Sequence, residues 1–207
     1  MIEFVTAYDE ATKANLSVAS GLLSKSAFVN EAATRANLQA ALQERPFESL
    51  VVWSHGNHDG PKAQDGLPAL PAEVLSSVKP RRAWAWACHT GTRFGERVSR
   101  LGWTWWGFTG AITAPDTDEP KMVKLLAGAF EAALVAFQSG QTPSSVTTAL
   151  VGLRLKLETI QEELDALEAN LVCYKFLLEL WDRARVWFPE HDSPTTHPEA
   201  TRPLLLE

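Results

Sequence analysis

The chain has 207 residues, 45% of them hydrophobic and 21% charged, which is enough for one domain with a substantial core and close to ordinary soluble usage. Its formal net charge of −6 comes from 19 basic and 25 acidic side chains with no concentrated Lys/Arg run, a balance that argues against a nucleic-acid partner. Two cysteines, Cys88 and Cys173, are too few for a disulfide framework and suit free thiols in a reducing compartment.

Residues 1–20 are broken by Glu3, Asp9, Glu10 and Lys13, so no secretory signal is visible. No apolar stretch approaches the roughly 20 residues of a membrane span, and the expectation is a cytoplasmic protein that uses no membrane. Residues 2–7 alternate and are rich in β-formers, the pattern of a first strand, and Asp9-Glu10 open a helical stretch to about Leu23. Residues 27–29 suggest a short second strand. Asn30 then caps a helix with Ala32, Ala36, Leu38, Ala41 and Leu42 at helical spacing, stopped by Pro46.

A buried strand over 50–53 runs straight into His55-Gly56. From 57 to 70 the chain is a loop marked by Gly60, Pro61, Gly66 and Pro68, in which Asp65-Gly66 can turn a small hairpin. Loops of this length beside a strand end often shape a substrate site. A short helix over 72–78 ends before Pro80, and a strand over 83–87 delivers Cys88, succeeded at once by the turn residues Thr90 and Gly91. Residues 94–101 read as helix. Residues 103–109 form a further strand carrying three of the eight tryptophans, read as core rather than as a ligand platform. Strands alternating with helices of this length predict right-handed crossovers and a parallel sheet covered on both faces.

Beyond Pro120 the chain becomes helical. One helix over 122–138 is closed by Gly140, and Thr142 or Ser144 can cap a second. Val146, Leu150, Leu153, Leu157, Ile160, Leu164, Leu167, Leu171, Tyr174, Leu178 and Trp181 then keep a three-four spacing, and no glycine or proline interrupts residues 153–188. This heptad-like seam either packs on its own sheet or folds back as a hairpin, or it forms a coiled coil with a second copy or a regulatory partner through residues 146–181. Pro189, Pro194, Pro198 and Pro203 mark an extended or disordered tail over 189–207.

Two parallel strands ending together would bring His55 and Cys88 side by side. A thiol is weakly nucleophilic until deprotonated, and a neighbouring imidazole can take its proton or hold the thiolate as an ion pair. His-Gly after one strand and Ala-Cys88-His-Thr-Gly after the next resembles the caspase-like cysteine peptidases. The run Cys88-His-Thr-Gly-Thr92 is most similar to metacaspases, and the whole short chain to bacterial caspase-like and CHAT domains.

The resemblance covers roughly residues 1–115 and implies a caspase-like three-layer α/β/α sandwich with a mostly parallel sheet. It makes Cys88 the nucleophile, His55 the acid/base partner, and the amides of Gly56 and Cys88 the oxyanion donors, with no cofactor. The expected division is a catalytic core over 1–118, a helical segment over 119–188 that packs on the core or mediates assembly, and the Pro-rich tail. Metacaspases typically carry an acidic residue two positions before the nucleophile, where this chain has Trp86. Asp59 and Asp65 are the remaining acidic candidates beside the pocket.

Rival motifs are poorer fits. Gly56-Asn57-His58-Asp59 spells one element of calcineurin-like metallophosphatases without the upstream ligand motifs, and His55, His58, Cys88 and His89 lack paired zinc spacings. The α/β-hydrolase elbow needs glycines where Trp86 and Thr90 stand. The expected function is a cysteine endopeptidase acting on a protein or peptide substrate, in a module of bacterial defence or conflict by resemblance alone. The alternative is a catalytically inactive caspase-like scaffold.

Overall fold

The fold is seen in a computed structural model that describes residues 1–44, 46–79, 81–115 and 117–201. The first half consists of β1 (Ile2–Val5), α1 (Glu10–Ala19), β2 (Phe28–Val29), α2 (Arg35–Glu44), β3 (Ser49–Trp53) and the short pair β4 (Gly56–Asn57) and β5 (Gly60–Pro61). The second half adds α3 (Ala72–Ser76), β6 (Arg82–Trp86), α4 (Gly95–Ser99), β7 (Thr104–Phe108), α5 (Pro120–Ser139), α6 (Pro143–Asp165), α7 (Leu171–Asp182) and β8 (Ala184–Trp187). Six strands form one sheet in the order β2-β1-β3-β6-β7-β8, every neighbour parallel except β8, which runs antiparallel to β7.

Side chains alternate across a strand, so near-continuous apolar strands fill two cores at once. Val51, Trp53, Trp84, Trp86, Trp106 and Phe108 meet α1, α5 and α7 on one face. Leu50, Val52, Ala83, Ala85 and Trp105 meet α2, α3 and α4 on the other. The result is an α/β fold with helices on both faces of a mostly parallel sheet.

Two start signals act as their residue types require. Asp9 caps α1 and Thr142 caps α6, each in a reciprocal capping box. Asn30 does not cap α2. It adopts the left-handed conformation, φ +53°, and opens a 3₁₀ turn, while the Thr34 hydroxyl accepts the Asn37 N–H at the start of α2.

The C-terminal half decides one open alternative and corrects the sequence reading in two further places. First, the seam folds back on itself: the chain turns after Asp165, with Glu168 at φ +53°, and Asn170 caps α7 by accepting the Cys173 N–H. Secondly, residues 184–187 are not helical but close the sheet as β8. Thirdly, the tail as far as Thr201 packs back on the body: Thr195 pairs with Val186, and His197, 3% exposed, sits against Trp181. The expected break at Pro80 and the tail beyond residue 201 lie outside the described residues.

Seam residues Val146, Leu150, Leu153, Leu157, Ile160 and Leu164 are buried within the chain, where α6 lies against α5 and α7. At 20 residues with a mean hydropathy of 1.3, α5 meets the length and composition of a membrane span, which the sequence reading did not credit. Its Leu126, Ala129, Phe130, Ala133 and Phe137 are buried in the core against the sheet.

Candidate active site

Strand register builds the site. Val5 pairs with Trp53 and Trp53 with Trp86, so three neighbouring parallel strands end in one row. The ladders continue one step further, the Thr6 N–H donating to the Trp53 carbonyl and the Ser54 N–H to the Trp86 carbonyl. His55 and Cys88 each lie two residues past that row, and Asp9 lies four past it. All three reach the same rim, at the carboxyl ends of the strands.

Asp9 links a helix to the site. One carboxylate oxygen accepts the Thr12 N–H at 2.9 Å and the Thr12 hydroxyl at 2.8 Å, and the other lies 2.6 Å from His55 Nε2. Cys88 acts on the same imidazole electrostatically, and the Tyr8 ring lies 5.5 Å from it. Cys88 is half-buried, and its sulfur receives the Ile112 N–H at 3.4 Å.

This wiring favours charge on His55 and on Asp9. The neighbouring Cys88 raises the His55 pKa most, burial works against it, and the hydrogen bond and charge of Asp9 add to the rise, leaving it above the ordinary imidazole value. Burial also opposes charge on Asp9, but the bonds from Thr12 and His55 outweigh it and hold the carboxyl below its usual range. The Tyr8 phenol is pushed up to about 12, by burial first and then by Asp9 and Cys88, so it stays protonated at neutral pH.

A tight turn comes directly after the thiol. His89, not a glycine, takes the left-handed conformation at φ +58°; its N–H donates to the Gly110 carbonyl, and the Thr90 hydroxyl donates to the Ala87 carbonyl. Gly91 serves close approach instead, because a methyl group there would lie 2.8 Å from backbone atoms of β7. Gly56 does the same for the site: a methyl on it would lie 2.7 Å from the Cys88 carbonyl oxygen and 2.9 Å from the Ala87 side chain. The residue after His55 is thus small because the Cys88 backbone passes against it.

The structure brings His55, Gly56 and Cys88 together and sets the pocket candidates elsewhere. Trp86 is fully buried, and its indole N–H donates to Asn15, which removes it from any substrate pocket. Asp59 is an exposed turn residue whose N–H donates to Asn57 and whose carbonyl accepts from Arg97. Asp65 is exposed too, its carboxylate accepting the Leu67 N–H in the Asp65-Gly66 turn. The His58 and His89 rings lie 4.8 Å apart at a tilt of 51°, and His58 Nδ1 is 3.0 Å from the Thr92 hydroxyl. Among the described residues no group of three His, Cys, Asp or Glu side chains could hold a metal ion.

Sequence reasoning missed Asp9, Tyr8 and Ile112. Asp9 obeys the rule that found His55 and Cys88, a chemistry-bearing residue just past an apolar strand, but its capping role accounted for it fully. A cleft of about 910 Å³ is lined by Glu10, Ala11, Ala114, Thr117 and Asp118, and Asp9, His55 and Cys88 are not among its lining residues. Comparison with protein-family models, curated proteins and solved structures returned no match.

Proposed function

We propose that the chain is a caspase-like cysteine endopeptidase with a three-layer α/β/α core. The observation that carries this reading is the row of Asp9, His55 and Cys88 beyond the paired ends of β1, β3 and β6. The Cys88 thiolate attacks the scissile carbonyl carbon, and the resulting oxyanion is met by the amides of Gly56 and Cys88. His55 gives its proton to the leaving amine. It then takes one from the water that hydrolyses the thioester, releasing the acid and restoring the thiol–imidazole pair. Asp9 fixes the ring orientation and supports the imidazolium, and every step uses groups of the chain itself.

A protein or peptide substrate, a regulatory partner and a cytoplasmic setting belong to this reading; a role in defence or conflict rests on the resemblance alone. The test is cleavage of a peptide library by the wild type, Cys88→Ala and His55→Ala. Both variants are expected to lose cleavage and keep the wild-type circular dichroism. Retained cleavage in Cys88→Ala overturns the mechanism. A second reading, an inactive scaffold, is favoured by the outward apolar side chains Val135 and Leu155 on α5 and α6, 58% and 60% exposed. It predicts that a peptide-directed electrophile leaves Cys88 unlabelled.

A further inference from the structure

The loop after β7 is tied to the C-terminal end of α7 at alternate residues. The Thr109 N–H donates to the Arg183 carbonyl at 3.0 Å, the Arg183 guanidinium donates to the Ala111 carbonyl, and Glu179 accepts the Thr113 N–H at 2.6 Å. Ile112 stands between the last two anchors, with its N–H 3.4 Å from Cys88 Sγ. Glu179 is 1% exposed, and its second carboxylate oxygen lies 3.1 Å from Arg183 Nη1.

We infer that Glu179 and Arg183 are positioning residues for Cys88, clamping the loop so that the Ile112 amide is held against the sulfur. An N–H aimed at sulfur binds thiolate more strongly than thiol, so it raises the thiolate fraction wherever the two forms coexist. A buried carboxylate is costly unless it is paired, and an apolar side chain would fill the same space more cheaply. Here the pairing fixes two backbone groups flanking Ile112, which an apolar side chain could not do. The inference deepens the proposed peptidase reading, and it rests on that reading only in taking Cys88 as the working nucleophile.

The test is the rate of Cys88 alkylation by iodoacetamide in the full chain, read from the mass of the Cys88 peptide, which separates it from the buried Cys173. Two variants are compared with the wild type: Glu179→Leu, and Arg183→Met at a partly exposed position that keeps the long apolar stem. An amide donor is worth roughly tenfold in stabilising an anion, and the higher nucleophilicity of a less stabilised thiolate offsets about half of that on a logarithmic scale. The expected result is alkylation slowed roughly threefold near pH 7, and as fast as or faster than the wild type near pH 10, so that the two profiles cross. Profiles that coincide throughout, or that are lowered equally at both ends, overturn the inference. Alkylation needs no peptide substrate, so failure of the peptidase reading leaves this outcome intact.

Discussion

Trp53 and His55 stand two residues apart, as do Trp86 and Cys88, yet each pair spans two differently built regions. The tryptophans belong to a dense aromatic core: the Trp86 ring lies 4.7 Å from Phe108, 5.4 Å from Phe176 and 5.6 Å from Phe130. The rim residues hang on few links: one carboxylate at 2.6 Å for His55, the Ile112 amide at 3.4 Å and its carbonyl at 4.0 Å for Cys88, and a glycine that lets their backbones touch. Stability is therefore spread over many contacts and chemistry over few. Substitutions in the two regions should separate cleanly.

The largest effect is expected in the core. Trp86→Ala removes a fully buried indole and leaves Asn15 without its donor, lowering the unfolding free energy by about 3–5 kcal/mol in urea titration. A loss under about 1 kcal/mol would erase the contrast. At the rim, Gly56→Ala must displace the Cys88 backbone, and kcat/KM on a cleaved peptide is expected to fall about a hundredfold with a smaller loss of stability.

Asp9→Asn is milder, roughly tenfold in kcat/KM, and is read best from its pH dependence. The folded pKa of His55 is raised, so the stabilisation it brings is complete below its unfolded value and is lost as pH rises through the folded one. For Asp9 the folded pKa is lowered, so its stabilisation is present above the unfolded value and is lost as pH falls through the folded one. The pair therefore contributes between those limits. If the imidazolium is the active form, Asp9→Asn moves the alkaline limb of the activity profile to lower pH. An unmoved limb would show that Cys88 alone sustains the His55 shift.

The sequence carried the sheet and two of the site residues for a physical reason: apolar runs such as 50–53 and 83–87 end abruptly, and a side chain just past the end of a parallel strand is open to chemistry. Asp9 was visible but already explained, since a carboxylate can cap a helix with one oxygen and orient an imidazole with the other. The Ile112 contribution is a backbone amide, which no residue type advertises. Strand β8 was hidden because Val186 and Trp187 continue the apolar content of the helix before them, while Arg185, 4% exposed, reads as a solvated position until its bonds to the Asp182, Ala184 and Thr201 carbonyls are seen. Likewise the break at Glu168 uses neither glycine nor proline, only a left-handed glutamate and an asparagine cap.

The antiparallel closing strand has a temporal corollary. A ribosome that has passed Gly140 has already made Asp9, His55 and Cys88, but not α7 or β8, which brace the β7 edge and the loop over the sulfur. The Cys88 thiol is thus translated well before the parts that steady it, and a nascent chain that has reached Gly140 needs the residues up to Trp187 before its rim can be set in place.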